Sequence, residues 1–335
     1  MAISAYLKKA VLAASLSRGR KITLAGKTYQ MKGFFVNTLA LKGRTGEREP
    51  WLDVVYETVF RCSDGAFLDI GANIGQTMLK VLSLDPSRRY IGFEPQVSCC
   101  FLIQHFLEKN AISNFATLPV GLSNENGTVK LYRGGEYDST ASTVKDFRPE
   151  NFHSSYSYVC LRKGDELISE LQVTSIAAIK IDVEGAELEV IEGLLETIEM
   201  KKPTIIFEVL NHFVIGTGAK LDDEHIRFRE SRIAKMEDLL RSREYEIYNV
   251  LPGNRLKNIR KIVPPFRQIY PSRIISPYRR TACVRSCSPF QGQFLTAKSP
   301  REIPNHPFAD VVFNVQPSQP RRYSKGLPTQ FHPAH

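Results

Sequence analysis

The chain reads as an α/β protein: a doubly wound, mostly parallel sheet in a single domain, behind an N-terminal β-hairpin and ahead of a Pro-rich tail. Three observations predict it. Short apolar runs alternate with segments of helical period through the middle of the chain, the pattern that wraps helices on both faces of a parallel sheet. The run Phe67-Leu68-Asp69-Ile70 ends in Gly71-Ala72-Asn73-Ile74-Gly75, a strand-to-helix turn whose glycines let backbone approach a ligand. A second run, Tyr90-Ile91-Gly92-Phe93, ends in Glu94-Pro95, nineteen positions after Gly75.

The elements follow in order. Residues 22–37 are rich in β-formers around Gly26 and predict a leading hairpin. Residues 51–61 predict a helix. Strands are expected at 66–70, 90–93, 116–121, 177–181, 204–209 and 245–250, and helices at 74–83, 97–110, 183–200 and 232–243. The helix over 183–200 has the clearest stripe, with Val183, Ala186, Val190, Ile191, Leu194, Leu195 and Ile198 on one face and acids, Glu187 among them, on the other. Two segments interrupt the alternation. Residues 122–175 hold a second hairpin around Gly127–Tyr132 and a hydroxyl-rich loop, Asp138–Thr143. Residues 211–230 form a polar loop with Gly216 and Gly218. Both belong at the sheet's carboxyl edge, where they would cover a ligand. Thirteen of the nineteen prolines lie at or after Pro252, so the tail is expected to be disordered. The domain boundaries are 1–50 for the N-terminal extension, 51–263 for the α/β domain and 264–335 for the tail.

Composition excludes several classes. At 335 residues and 42% hydrophobic the chain can bury a large core, yet no apolar run approaches the ~20 residues of a spanning helix. The formal charge of +10 is unevenly spread: residues 1–46 carry +9, residues 252–335 carry +12, and the middle carries −11. Basic ends around an acidic body imply solvated tails or weak contact with a membrane surface, and no specific nucleic-acid site. The six cysteines lack metal-site spacing and read as reduced thiols of a cytoplasmic protein. Ile3, Leu7, Ala10, Val11 and Ala14 share a helical face, consistent with an N-terminal helix; a transit or membrane-surface segment is the other reading.

An acid at the tip of the second strand takes the hydroxyls of a ribose, which restricts the ligand to a nucleoside-bearing cofactor. Nicotinamide dinucleotides and S-adenosylmethionine remain. A dinucleotide needs G-x-G-x-x-G to seat its pyrophosphate. Here Asn73 replaces the middle glycine, no third glycine follows, and Asp69 would repel a diphosphate. The same acid suits the ammonium of a methionine moiety, which favours S-adenosyl-L-methionine.

Asp69–Gly75, Phe93-Glu94-Pro95 and above all Ile179-Lys180-Ile181-Asp182-Val183-Glu184-Gly185-Ala186-Glu187 resemble the FkbM-type methyltransferase family over roughly residues 50–260. The resemblance implies a Rossmann-like, seven-stranded class I methyltransferase fold. It implies transfer of a methyl from S-adenosylmethionine to a hydroxyl of a small-molecule or glycan-like acceptor. It places the methionine end of the cofactor near Asp69, Gly71, Asn73 and Gly75, the ribose at Glu94 beside Pro95, and the adenine beside Gly121-Leu122-Ser123-Asn124. The last strand of the family pattern is not evident beyond Pro252.

Methyl transfer to an alcohol needs the acceptor oxygen in line with the breaking bond and a base within reach. Strand ends offer Asp182, Glu208 and His212 as catalytic candidates, with Asp182 also able to orient the cofactor. Asp182, Glu208 and Asn211 make a set of oxygen donors of the kind some methyltransferases of this fold use for Mg²⁺, but three scattered residues are not assigned as a metal site. Competing readings are a nicotinamide-dependent oxidoreductase and a non-enzymatic module using the basic ends. Oligomeric state is not legible.

Overall fold

The computed structural model describes residues 19–24, 26–32, 50–134, 138–148, 154–210, 221–251, 255–263 and 279–283. The N-terminal amphipathic segment, Asn211, His212 and most of the Pro-rich tail lie outside the described residues.

The chain opens with the hairpin β1 (Gly19–Leu24) and β2 (Lys27–Lys32), turning at Gly26 with φ 76°. Helix α1 (Pro50–Cys62) leads into β3 (Ala66–Ile70), α2 (Gln76–Leu84), β4 (Tyr90–Phe93), α3 (Val97–Lys109) and β5 (Phe115–Leu118). After an excursion the chain returns as β9 (Ile176–Ile181), helices α5 (Glu187–Gly193) and α6 (Leu195–Lys201), β10 (Thr204–Val209), α7 (Asp223–Arg241), β11 (Tyr248–Leu251), β12 (Arg255–Asn258) and β13 (Arg279–Cys283). The excursion holds β6 (Gly121–Ser123), β7 (Gly127–Arg133), a 3₁₀ turn (Lys145–Phe147), β8 (Ser155–Lys163) and α4 (Gly164–Glu170).

The main sheet has the order β12-β11-β13-β10-β9-β3-β4-β5. Strands β10, β9, β3, β4 and β5 are mutually parallel, and β13 runs antiparallel between β10 and β11. The expected doubly wound, mostly parallel sheet is therefore present, with eight strands among the described residues rather than seven because β12 adds an edge hairpin to β11. The reversed strand that the sequence did not reveal is β13. It lies within the segment read as a disordered tail.

Alternate residues of each parallel strand feed two cores. Phe67 and Tyr90 pack with Tyr56, Met78 and Ile103 on one face, whereas Leu68, Ile70, Phe93 and Ile181 pack with Val190, Ile191 and Leu240 on the other. Helices on both faces leave the carboxyl ends of β3, β4, β9 and β10 as the open edge of the sheet, where ligands bind in this architecture.

Other departures have local causes. The strand expected over 116–121 stops at Leu118, because Pro119 has no N–H to continue the ladder. Gly121–Ser123 then joins a second sheet, β6-β8-β7. The helix expected over 183–200 begins only at Glu187 and breaks at Leu194. Residues ahead of it form a turn with φ 55° at Glu184 and 113° at Gly185. The second polar loop is shorter than expected, since Asp222 caps α7 by accepting from the His225 N–H at 2.9 Å.

Candidate active site

The turn after β3 is built for close approach. Gly71, Asn73 and Gly75 have φ of 85°, 46° and 85°, and a Cβ on Gly71 would overlap the Asp182 carbonyl oxygen. The Gly71 N–H donates to Phe93 O at 2.9 Å and the Asp182 N–H donates to Ile70 O at 2.9 Å. The tips of β4, β3 and β9 are thereby drawn into one edge.

Glu94 is buried against this turn. Its Oε2 accepts from the Asn73 N–H and its Oε1 from the Gln96 N–H, each at 2.8 Å. Burial pushes its pKa up to about 7, against the lowering effect of those two amides. Asn73 Oδ1, Gln96 Oε1 and Thr117 Oγ1 are buried without a hydrogen-bond partner. They belong to the β3 turn, the segment after β4, and β5. Buried polar atoms are seldom left unmatched, and these three, on the segments that adjoin Glu94 in sequence or in the sheet, have hydrogen-bonding chemistry compatible with a nucleoside.

Asp69 sits near the end of β3, just ahead of the turn. It is fully buried, accepting from the Tyr90 hydroxyl at 2.6 Å and from Lys180 Nζ at 3.3 Å. Burial raises its pKa, the largest effect, and the Lys180 ammonium opposes it. Its charge is met inside the protein by the Lys180 ammonium and the Tyr90 hydroxyl. Ser123 and Asn124, expected beside the adenine, pack against α5. Ser123 is buried where Gly193 approaches, a Cβ on Gly193 would overlap the Ser123 carbonyl oxygen, and the Asn124 amide donates to Glu192 at 2.8 Å. Both serve the joint between β6 and α5.

The signature run from Ile179 to Glu187 spans the end of β9 and the following turn. Lys180 is buried in β9, with Nζ 3.1 Å from Asp182 Oδ2 as well as 3.3 Å from Asp69. Asp182 keeps a side-chain exposure of 19%. Glu184 is ion-paired with Arg148. Glu187, placed on an outer face by periodicity, is instead buried. It accepts from the Gly185 and Val183 N–H groups at 3.2 and 3.4 Å, and burial pushes its pKa up to about 7. Carboxylate oxygens of Asp182, Glu184 and Glu208 lie within 4.8 Å of one another. Glu184 thus stands where the sequence reading put Asn211. Lys180 and Arg148 offset part of that negative charge.

A strap crosses this edge. At one end Gln96 Nε2 donates to Asp138 O at 3.0 Å, and Asp138 Oδ1 accepts from Thr140 N and Oγ1 at 2.8 and 2.7 Å. At the other end Arg148 holds Glu184, and the Phe147 ring fills the space beside Gly185 that a side chain would need. Arg229 of α7 donates to Phe147 O at 2.6 Å, with its guanidinium 4.2 Å from the ring centroid. A cavity beneath is lined by Phe147, Gly185, Glu208, Arg229 and Met236.

Sequence reading gave no role to Lys180, Tyr90, Gln96 or Arg148. Lys180 carried a signal. It is the charged residue in Ile176–Ile181, a strand buried at every position, and a buried ammonium requires an acid partner. Arg148 carried none, because its partner lies 36 residues away.

No helix among the described residues is long and apolar enough to cross a membrane. Residues 69–247 match the methyltransferase FkbM domain. The chain is similar to methyltransferase sdnD of Sordaria araneosa, 26% identical over 179 residues, covering 44% of this chain and 68% of that protein. It is similar to 2-O-methyltransferase NoeI of Sinorhizobium fredii, 28% identical over 149 residues, covering 40% of this chain and 59% of that one. Among solved structures, an FkbM methyltransferase from Methylobacillus flagellatus aligns over 56% of this chain and 40% of its own at 17% identity, with a TM-score of 0.35. With its family domain spanning more than half of its length and an acid-tipped, glycine-turned edge suited to a nucleoside, the chain belongs to the FkbM family of S-adenosylmethionine-dependent methyltransferases.

Proposed function

We propose that the chain is an O-methyltransferase, acting on a hydroxyl of a small-molecule or carbohydrate acceptor. The observation that carries this reading is the carboxylate cluster of Asp182, Glu184 and Glu208 at the edge that also holds the glycine turn. An alcohol is a weak nucleophile near neutral pH and gains from an acceptor for its proton. The NoeI relative, by its name, methylates oxygen.

When bound, S-adenosylmethionine supplies a methyl already activated by a sulfonium. The residues that would hold it are Gly71, Asn73 and Gly75 at the turn and Glu94 and Gln96 at the β4 tip. Asp182, the partly exposed member of the cluster, takes the acceptor's proton or its hydrogen bond and fixes the attack line. Lys180 positions Asp182. Glu208 receives the proton when Asp182 is committed to its ammonium, and His212 remains a candidate from the sequence. The strap and the Arg229–Phe147 contact exclude water from the edge.

The test is incubation with methyl-labelled cofactor and a panel of saccharide, phenolic and aliphatic alcohols, followed by location of the label. Label on oxygen supports the reading. Label on nitrogen or carbon alone would overturn it.

A further inference from the structure

The outward face of the β6-β8-β7 sheet carries a row of tyrosines that the cofactor edge does not use. In β8, Tyr156 and Tyr158 are two residues apart and share a face. Opposite them in β7, Tyr132 pairs with Tyr156 and Lys130 with Tyr158. Tyr156 is 49% and Tyr158 67% exposed. Tyr132 and Tyr156 have centroids 6.4 Å apart at 60°, and Tyr156 and Tyr158 5.7 Å apart at 82°. Faces and edges therefore alternate along the row. Inward residues Leu131 and Val159 are buried and account for the stability of the hairpin. Burial does not account for the outward rings.

The row is continuous with the acceptor side of the edge. Tyr132 exchanges backbone hydrogen bonds with Ser142 at 2.8 and 3.0 Å. Ser142 belongs to the strap that Gln96 anchors through Asp138. A molecule entering beneath the strap would extend along the hairpin past Tyr132, then Tyr156 and Tyr158.

Its chemistry selects the molecule. Phenol rings offer an electron-rich face to polarised C–H groups and a hydroxyl to polar neighbours. That combination matches a pyranose chain, which has apolar ring faces rimmed by hydroxyls. A phosphodiester strand needs a track of available cations. Here the face's cations are engaged, Lys130 over the Tyr156 ring at 4.3 Å and Arg162 with Glu170. We propose that this tyrosine row is a saccharide platform, and that the acceptor is an oligosaccharide or glycoconjugate held on it outside the reacting edge. The proposal rests on the O-methyl transfer reading for its role in turnover, but not for binding.

The experiment compares the full chain with Y158A and Y156A/Y158A, after near-ultraviolet circular dichroism and melting confirm folding. Labelled methyl transfer is measured on mono- to hexasaccharides of glucose, mannose, galactose and N-acetylglucosamine. In the unaltered chain kcat/KM should rise at least 10-fold with chain length, through KM. Y156A/Y158A should abolish that gain while leaving the monosaccharide rate unchanged. No dependence on length, an equal loss for short and long acceptors, or a gain that survives both substitutions would overturn the platform. In a second arm the hexasaccharides are titrated calorimetrically without cofactor. If no sugar is methylated, the assignment of a saccharide as the acceptor fails, while the O-methyl transfer reading is decided by its own panel of alcohols. The platform then stands if the unaltered chain binds a hexasaccharide at least 10-fold more tightly than the double variant, and falls otherwise. Retention of poly(U) or a dimer-to-monomer change in the double variant, with no saccharide effect, would also overturn it.

Discussion

Lys180 Nζ lies 3.1 Å from Asp182 Oδ2, and both residues belong to the turn-forming end of β9. The same ammonium reaches Asp69 on the neighbouring strand at 3.3 Å. The most particular part of the sequence signature is thus an ion-paired joint between β3 and β9, and Asp182 is the member that also meets solvent.

Lys180→Met should leave two acids facing one another without their shared cation. Breaking a buried pair of this kind costs about 3–5 kcal/mol. Urea unfolding should show a loss of that order, with Asp69→Asn/Lys180→Met recovering part of it. An unchanged midpoint would mean that the joint is not load-sharing between the strands.

Glu94→Ala removes the acceptor for two backbone N–H groups and the proposed ribose partner. A hydrogen bond to a charged group contributes about 1.5–3 kcal/mol, so loss of the proposed ribose contact should lower affinity for S-adenosylmethionine roughly 10- to 100-fold in calorimetry. Because Glu94 uses both oxygens, Glu94→Gln should restore only part of the loss. Unaltered affinity would remove Glu94 from the cofactor site.

The pKa values of Glu94 and Glu187 are raised by burial from the ordinary 4.5 to about 7. Between those values the folded state holds more protons than the unfolded chain, so the contribution of these groups to stability falls as pH rises through the window. Unfolding free energy measured from pH 4.5 to pH 7 should carry this declining component. Glu187→Gln should lessen it, since Oε1 alone receives both amides. An identical slope in the variant would contradict the burial of that carboxyl.

Arg148→Ala should release the strap at its Glu184 end. Limited proteolysis should then cut within 138–148 faster than in the unaltered chain, and KM for the acceptor should rise several-fold. Equal cleavage rates would mean that Arg148 does not hold the strap.

How much of this was legible depended on the range of each interaction. The glycine turn, Glu94 and the parallel strands are written in contiguous residues, and each was read from its own segment. The helix break at Leu194 was not, because it reflects Gly193 meeting Ser123 across the fold. The stripe through Val190, Leu194 and Ile198 hid it. The first turns of α7, Asp223–Glu230, were read as loop because their charged composition masks the helical period. β13 was hidden because a five-residue strand in a Pro-rich context has little pattern of its own, although it pairs on both sides, with β10 and β11. At the site, Glu187 was placed on an outer face but is buried, because a helix pattern does not show the turn ahead of it whose amides its carboxylate meets.

The most direct test of the account is single-turnover transfer of labelled methyl by Asp182→Asn, with cofactor affinity measured on the same preparation. The account expects transfer to fall at least ~100-fold, the lower range for a lost general base, while the dissociation constant for S-adenosylmethionine stays within a few-fold of the unaltered chain. Transfer at the unaltered rate would contradict it.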